Sequence, residues 1–130
     1  MEEYIMTIDE GTTSARAVLF NKDSEIIAMC SKEFAQYYPQ PGWVEQDPKE
    51  IWLTTKEVIN KVVADSGIDP KQIKAAGITN QRETVVVYDK NTGEPVYNAI
   101  GWADRRTAPY CDELKAAGKE QQQKTQRSQQ

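Results

Sequence analysis

Short apolar runs separated by polar turns dominate the first thirty residues. Strand-like segments at residues 4–8, 16–20 and 25–30 are divided by turns at 9–14 and 21–24. Apolar and β-branched residues bounded by Gly, Asn, Asp and Ser are typical of strands joined by tight turns. The pattern therefore predicts an antiparallel meander of three strands.

A helical period replaces this pattern after an irregular loop, rich in Tyr and Pro, at residues 37–42. Asp47 precedes Pro48, and Glu50 follows where a capping-box acid belongs, so a helix is predicted to begin here. Gly67 suits its end. The apolar positions share one stripe that is predicted to pack on a sheet: Ile51, Trp52, Val58, Ile59, Val62 and Val63.

The rest of the chain returns to extended segments and turns. Residues 73–79 predict a buried strand, 84–88 a further strand, and 91–93 a hairpin turn. Residues 95–102 are predicted to be extended and 107–117 to be helical. This order of elements predicts an α/β fold with a mixed sheet.

Composition narrows the function classes. The chain has 130 residues, about one domain, with 38% hydrophobic and 28% charged residues, so a folded core is expected. The net charge of −4 argues against a nucleic-acid partner, and the absence of His excludes imidazole catalysis. Every residue from 119 to 130 is polar and many are Gln, so this tail is predicted to be disordered.

No sequence feature indicates export or a membrane. Cys30 and Cys111 form no metal or redox motif, and the acidic start at residues 1–4 differs from a signal peptide. The longest apolar runs are far shorter than the roughly 20 residues of a membrane span. A cytoplasmic protein with free thiols and no membrane partner is expected.

Residues 9–16 form the first of three polar segments that offer chemistry. Asp9 ends a predicted strand, where its carboxylate suits hydrated Mg²⁺. Gly11 permits a tight turn whose main-chain N–H groups approach an anion. Spacing alone favours an ordinary hydroxyl-rich hairpin, because neither a P-loop nor a GxGxxG pattern is present. The side chains available to an anion are Thr12, Thr13, Ser14 and Arg16.

The second segment, residues 77–83, lies at the carboxyl end of a predicted internal strand, where open α/β sheets place ligands. Arg82 donates hydrogen bonds and Glu83 accepts them, so the pair suits the hydroxyls of a small polyol. A solvated turn with unpaired charges is at least as simple an interpretation.

The third segment, residues 99–107, contains Trp102, whose ring offers an apolar face to the carbon atoms of a ligand. Arg105 and Arg106 follow as phosphate or ion-pair partners. The alternative is that Trp102 belongs to the core, as a lone Trp more often does.

Together these segments resemble the glycerol kinases within the FGGY carbohydrate kinases of the actin/hexokinase/Hsp70 ATPase superfamily. The matching stretches, at residues 8–17, 38–48, 77–84 and 97–107, lie in register. Asn-Gln-Arg-Glu at 80–83 points to glycerol, whereas pentulose kinases tend to have Gly-Gln-Met-His there. The resemblance implies a ribonuclease H-like first domain, a mixed sheet that is incomplete at its carboxyl end.

The resemblance also implies a role for each segment, with ATP and Mg²⁺ as cofactors. Asp9 lies near Mg²⁺, Arg82 and Glu83 bind glycerol hydroxyls, and Trp102 lies against the glycerol carbons. The residues that contact the ATP phosphates are Gly11, Thr12, Thr13, Ser14 and Arg16.

Three residues depart from the family pattern. Glu10 stands where Gln is usual and adds a negative charge beside the expected phosphate turn. Gly101 replaces a bulkier apolar residue, and Ala103 replaces Gln, so both alter the expected glycerol pocket.

Family members continue for several hundred residues, and these supply an aspartate base, a tyrosine ligand and an adenosine-binding second domain. Residues 1–118 are thus expected to be a partial amino-terminal kinase domain of glycerol catabolism, inactive alone, with the base beyond residue 130. Full-length relatives are expected to be homo-oligomers. Two alternatives remain: another polyol or sugar kinase of the family, and a non-catalytic ligand-binding or remnant fragment.

Overall fold

Among residues 1–118, the predicted meander is followed by three further strands and two helices. The structure, a computed structural model, describes residues 1–118, so the predicted Gln-rich tail at 119–130 lies outside the described residues. The elements in chain order are β1 (Tyr4–Glu10), β2 (Ser14–Asn21), β3 (Ile26–Glu33), β4 (Glu45–Gln46), α1 (Pro48–Ser66), a 3₁₀ turn (Pro70–Gln72), β5 (Ile73–Thr79), β6 (Ala99–Ile100) and α2 (Ala108–Ala116).

Four strands form one mixed sheet in the order β3-β2-β1-β5, which confirms the predicted α/β class. β1 pairs antiparallel with β2, where Ile8 lies opposite Ala17, and parallel with β5, where Asp9 lies opposite Thr79. Parallel strands end at the same edge of a sheet. The loops that follow β1 and β5 therefore leave the sheet side by side.

Helix α1 covers one face of this sheet. Asp47 caps it by accepting from the Lys49 N–H at 2.9 Å, and Gly67 ends it with a φ of 70°, as predicted. Val58 and Val62 are fully buried against alternate residues of the strands. These strand residues form the core: Tyr4, Met6, Ile8, Ala15, Ala17 and Leu19.

Trp52 is not part of the packed stripe, so this element of the prediction is wrong. Its side chain is 59% exposed, whereas Thr54 and Thr55 are buried. The line through Thr55, Val58 and Val62 faces the sheet, because residues three and four apart share a helix face. Trp52 lies to one side of that line.

Glu50 does not close the predicted capping box. Its carboxylate accepts from the Ala35 N–H and from the Tyr37 hydroxyl, each at 2.8 Å. The loop before α1 offers donors that compete for the carboxylate, so Glu50 ties this loop to the first turn of the helix.

β5 forms where predicted but is not buried. It is an edge strand within residues 1–118, and Ile78 near its end is 73% exposed. The burial expected from its apolar composition requires a neighbour on its second edge. Among the described residues no strand pairs there.

Residues 84–88 do not form the predicted strand. They make only isolated bridges, between Val85 and Ile100 and between Tyr88 and Pro95. Their partner β6 has two residues, so no continuous ladder is formed. The chain reverses at the predicted turn, where Gly93 has a φ of 75°.

A buried ionic cluster joins the loop before α1 to the segment before α2. The Arg106 guanidinium donates to Glu45 at 2.7 Å and to Asp104 at 2.8 Å. Its plane lies over Trp43, with Cζ 3.8 Å from the ring centroid. The Tyr97 hydroxyl also donates to Glu45, at 2.8 Å. One cation thus holds two buried carboxylates and one aromatic ring.

These contacts fix the charges of the cluster. Burial alone would raise the pKa of Glu45, but hydrogen bonds from Arg106, Tyr97 and Asn98 outweigh it and the pKa lies below the ordinary 4.5. Burial also opposes ionisation of Asp104, and hydrogen bonds from Arg106 hold its pKa below the ordinary 3.8. The pKa of Arg106 is raised, chiefly by its hydrogen bond to Asp104.

Glu10 is the last residue of β1, and its side chain is directed toward α1. Its Oε1 accepts from the Thr55 hydroxyl at 2.6 Å, and its Oε2 is buried with no hydrogen-bond partner among residues 1–118. The carboxylate expected beside the phosphate turn is thus directed toward α1. A buried carboxylate oxygen without a partner destabilises the folded chain.

No helix within residues 1–118 is long and apolar enough to cross a membrane.

Replacing Arg106 by Met is expected to lower Tm at pH 7 far more than replacing the adjacent, exposed Arg105 by Met. The first substitution leaves two buried carboxylates without a cation, and the second removes an exposed charge. Circular dichroism melts of both variants and the wild type measure this. Similar losses in the two variants would show that the cluster does not stabilise the fold.

The Tm gap between wild type and Arg106→Met is expected to narrow as the pH falls below about 4.5. The pKa values of Glu45 and Asp104 are lowered in the folded state. The stability that these two carboxylates give the folded chain is therefore fully present at pH values above their ordinary pKa values. This contribution is lost as the pH falls through the lowered pKa values that the two groups have in the folded state. Melts between pH 7 and pH 2.5 test this, and a constant gap would contradict it.

Replacing Glu10 by Gln is expected to raise the free energy of unfolding by about 1 kcal/mol, because a neutral amide costs less to bury than an unpartnered carboxylate oxygen. Glu33→Gln, at an exposed position on β3, is the matched control. Urea unfolding at pH 7 measures both. A destabilised Glu10→Gln variant would mean that the Thr55 contact requires the charge.

Candidate functional site

The loops after β1 and β5 enclose a hollow at the carboxyl edge of the sheet. Its volume is about 450 Å³, and Trp102 closes one side of it. Thr12 and Arg82, which come from segments far apart in sequence, therefore face one space. The lining residues are Thr12, Gln81, Arg82, Glu83 and Trp102.

The turn at residues 11–14 is as tight as the sequence predicts. The Gly11 N–H donates to the Ser14 carbonyl at 2.9 Å, and a Cβ on Gly11 would lie 3.0 Å from that oxygen. A larger residue cannot approach so closely without moving the backbone. Thr12 alone of this turn lines the hollow, whereas Thr13 is exposed beside it.

Asp9 and Arg16 lie opposite each other on β1 and β2, on the sheet face that α1 does not cover. The guanidinium donates to the carboxylate at 3.3 Å, and both side chains are nearly half exposed. A pair this exposed is weak. Both groups are therefore accessible to a ligand beside the turn, although neither lines the hollow.

Arg82 and Glu83 form the turn after β5, and both are exposed. Within the described part of the chain, neither side chain is held by a hydrogen bond or an ion pair. Glu83 has a φ of 64°, a backbone conformation that non-glycine residues rarely adopt. Residues kept in such strained conformations are enriched at ligand sites, so the conformation of Glu83 is compatible with a binding role.

Trp102 connects the two sides of the hollow. Its indole N–H donates to the Thr12 hydroxyl at 3.0 Å, and its backbone N–H donates to the Thr84 hydroxyl at 3.3 Å. The residue is 56% exposed, so the expectation that a lone Trp belongs to the core does not hold here. Its ring is an apolar wall of the hollow.

The arginines beyond Trp102 divide between two environments. Arg106 is an ion-pair partner in the buried cluster, and its guanidinium is committed to Glu45 and Asp104. Arg105 is exposed, and its backbone N–H donates to the Gly42 carbonyl at 2.7 Å. Neither arginine lines the hollow.

Gly101 is buried close to the chain before α1. Its N–H donates to the Val44 carbonyl at 2.9 Å, and a Cβ on Gly101 would lie 3.4 Å from that oxygen and from the Val44 side chain. The small residue thus allows these two segments to approach each other. Ala103, the other departure near the pocket, is exposed.

Two glutamines to which the sequence motifs assign no role, Gln46 and Gln81, lie at this site. Gln81 lines the hollow, and its amide donates to Gln46, which is buried beneath it, at 2.8 Å. A polar residue in a polar turn carries no distinguishing signal. The contact between Gln46 and Gln81 becomes visible only when the two segments are seen together.

The side chains beside the turn bear on how the site could hold a metal ion. Within residues 1–118 no group of three or more Asp, Glu, Cys or His side chains could hold a metal ion alone. Mg²⁺ bound with phosphates and water needs only one or two carboxylates. The exposed Asp9 carboxylate at the end of β1 meets this requirement.

Residues 4–130 match the amino-terminal domain of the FGGY family of carbohydrate kinases. The chain is 58% identical over 117 residues to the glycerol kinase of Chromobacterium violaceum, and 58% identical over 120 residues to that of Carboxydothermus hydrogenoformans. These alignments cover 90% and 92% of this chain but 23% and 24% of those proteins. The chain thus spans about a quarter of the length of these relatives.

Solved structures share the fold. A gluconate kinase from Lactobacillus acidophilus has a TM-score of 0.85 and 28% identity, covering 94% of this chain and 24% of that one. Plasmodium falciparum glycerol kinase with ADP has a TM-score of 0.79 and 32% identity, covering 88% and 23%. These similarities confirm the expected ribonuclease H-like first domain. By sequence and by structure, the chain belongs to the FGGY family of carbohydrate kinases.

Proposed function

We propose that the chain is the amino-terminal part of an ATP-dependent glycerol kinase of the cytoplasm. The reaction transfers the γ-phosphoryl group of ATP to glycerol, giving sn-glycerol 3-phosphate and ADP for glycerol catabolism. The observation that carries this proposal is the common hollow, which Thr12 shares with Arg82, Glu83 and Trp102. Donor and acceptor must meet in one space for direct transfer.

The acceptor side of the hollow suits a small polyol. The Arg82 guanidinium donates to hydroxyl oxygens, and the Glu83 carboxylate accepts from hydroxyl protons. The Trp102 ring gives the carbon chain an apolar surface. Glycerol offers hydroxyls on one side and C–H groups on the other, so it complements all three residues.

The turn side suits phosphates. Thr12 lines the hollow, and the exposed pair of Asp9 and Arg16 lies on the two strands that flank the turn at residues 11–14. Asp9 would hold Mg²⁺ through water, and the ion would neutralise charge on the phosphates. These residues bind and orient the nucleotide.

The proton of the attacking hydroxyl requires a base that this part of the chain does not present. Among residues 1–118, Glu83 is the only carboxylate that lines the hollow, and it is assigned to binding glycerol. We place the base outside this chain, in the three quarters of the relatives that it does not cover. The polypeptide of 130 residues is therefore expected to bind without turnover.

A sugar acid is the second candidate acceptor, because the chain superposes on a gluconate kinase with a TM-score of 0.85. The Asn-Gln-Arg-Glu run at 80–83 supports glycerol instead, since its carboxylate would repel an acid. A non-catalytic binding role is the third interpretation, and complementation distinguishes it from a kinase.

Glu83→Gln is expected to weaken glycerol binding about tenfold, because a hydrogen bond to a charged acceptor exceeds one to a neutral amide by roughly 1–1.5 kcal/mol. Isothermal calorimetry on the full chain measures this, with Glu113→Gln on α2 as the exposed control. Gluconate is titrated in parallel. Tighter binding of gluconate than of glycerol, or equal glycerol affinity in wild type and Glu83→Gln, would contradict the assignment.

The purified chain with MgATP and glycerol is expected to give no glycerol 3-phosphate above background. Adding a carboxyl-terminal polypeptide that begins after the matching region of the Chromobacterium violaceum glycerol kinase is expected to restore production. A coupled glycerol 3-phosphate assay measures both, with that intact enzyme as the positive control. Turnover by the chain alone would overturn the placement of the base, and failed complementation favours the non-catalytic role.

A further inference from the structure

A buried amide lies beneath the hollow. Gln46, on β4, is fully buried, and its Nε2 donates to the Thr12 carbonyl at 2.8 Å and to Gln36 Oε1 at 2.9 Å. Its Oε1 accepts from Gln81 Nε2 at 2.8 Å. One side chain therefore contacts both the turn after β1 and the turn after β5.

Only one orientation of this amide satisfies its neighbours. In the opposite orientation Oε1 would face two acceptors, the Thr12 carbonyl and Gln36 Oε1, and Nε2 would face the Gln81 amide nitrogen. Gln36 Nε2 also donates to the Thr12 carbonyl, at 3.0 Å. The carbonyl of the turn is thus held by two donors from below.

The hydrogen bonds continue from Gln46 around the hollow. Gln81 Oε1 accepts from the Thr84 hydroxyl at 3.0 Å, and that hydroxyl accepts from the Trp102 backbone N–H at 3.3 Å. The Trp102 indole then donates to the Thr12 hydroxyl at 3.0 Å. The ring of contacts begins and ends on Thr12, and Gln46 is its fully buried member.

We propose that Gln46 is a positioning residue that holds the phosphate turn and the acceptor side of the hollow in register. It lines no part of the hollow and acts through Thr12, Gln81 and Trp102. Its importance for phosphoryl transfer rests on the proposed function, whereas its hold on Trp102 is a property of the unliganded chain. Small displacements at a site of this kind cost large factors in rate.

An apolar side chain of the same length could fill the space of Gln46 but could not replace its contacts. Gln36 Oε1 and Gln81 Nε2 would be left without these partners. Unpartnered buried polar groups move toward water when the structure permits it. We therefore expect Gln46→Met to displace Gln81, and Trp102 with it, while α1 and the sheet remain folded.

The indole N–H resonance of Trp102 reports this displacement directly. The experiment records ¹⁵N spectra of the full 130-residue chain, with the peak assigned by Trp102→Phe. In Gln46→Met the Trp102 indole proton is expected to exchange with water about tenfold faster than in wild type. The Trp43 and Trp52 indole peaks should stay in place. Gln40→Met, at an exposed loop position, is the matched control and should leave all three peaks unchanged.

Gln46→Glu adds a pH signature that packing alone would not produce. In this variant a carboxylate would face two acceptors, the Thr12 carbonyl and Gln36 Oε1. At neutral pH it has no proton to donate to either, and when it is protonated it can donate to one of them. The Trp102 peak of this variant is expected to return toward the wild-type position as the pH falls, whereas that of Gln46→Met is not.

An unchanged Trp102 peak and exchange rate in Gln46→Met would overturn the proposal. If that variant does not fold, Gln81→Met breaks the same ring nearer the surface, and an unchanged Trp102 peak there overturns it equally. Glycerol is then titrated into wild type and Gln40→Met. If the Trp102 peak moves in the unliganded Gln46→Met variant, the positioning role is supported. If the wild-type Trp102 peak then does not respond to glycerol, that result counts against the proposed function alone.

Discussion

Glu45 and Gln46 are consecutive residues of β4, and both are buried, with 1% and 0% of their surface exposed. Burying a carboxylate or an amide is costly unless its polar atoms find partners. Thr12 and Gln36 supply acceptors for the Gln46 amide nitrogen. The other partners come from the later part of the chain: Arg106 and Tyr97 for Glu45, and Gln81 for Gln46. The segment after β5 is therefore required to fold back over β4, and the hollow forms where it does so.

The two halves of the chain are held together by different forces. In the first half, Val58 and Val62 of α1 and the alternate residues of β1 and β2 form an apolar core. From residue 81 to residue 118, Ala99 is the only apolar side chain that is buried, so apolar burial contributes little there. Hydrogen bonds and ion pairs position the acceptor side of the site. The geometry of the acceptor side is thus more sensitive to changes of charge and to substitution of polar residues than the geometry of the sheet is.

Sequence patterns predict the elements whose formation depends on interactions between residues that are close in sequence. The meander follows from apolar runs and turns, and α1 follows from the cap at Asp47, the end at Gly67 and the helical period. β5 was predicted as a buried strand because its composition is apolar, but burial depends on what lies against its free edge. Residues 84–88 are rich in Val, yet their partner strand is too short to form a ladder.

The candidate site likewise contains residues that motifs identify and residues whose roles depend on contacts between distant segments. The resemblance to a family identified Thr12, Arg82, Glu83 and Trp102, and the structure brings these four to one hollow. The role of Gln46 could not be predicted, because its partners Gln36, Thr12 and Gln81 lie 10, 34 and 35 residues away. Glu50 shows the same limit, since a tertiary contact replaced the capping box that its position predicts.

The most direct test of the central claim is a crystal structure of the chain grown with glycerol, Mg²⁺ and a non-hydrolysable ATP analogue. We expect glycerol against the Trp102 ring, within hydrogen-bonding distance of Arg82 and Glu83, and the γ-phosphate beside Thr12 in the same hollow. Glycerol and the γ-phosphate bound at separate surfaces of the chain would contradict it.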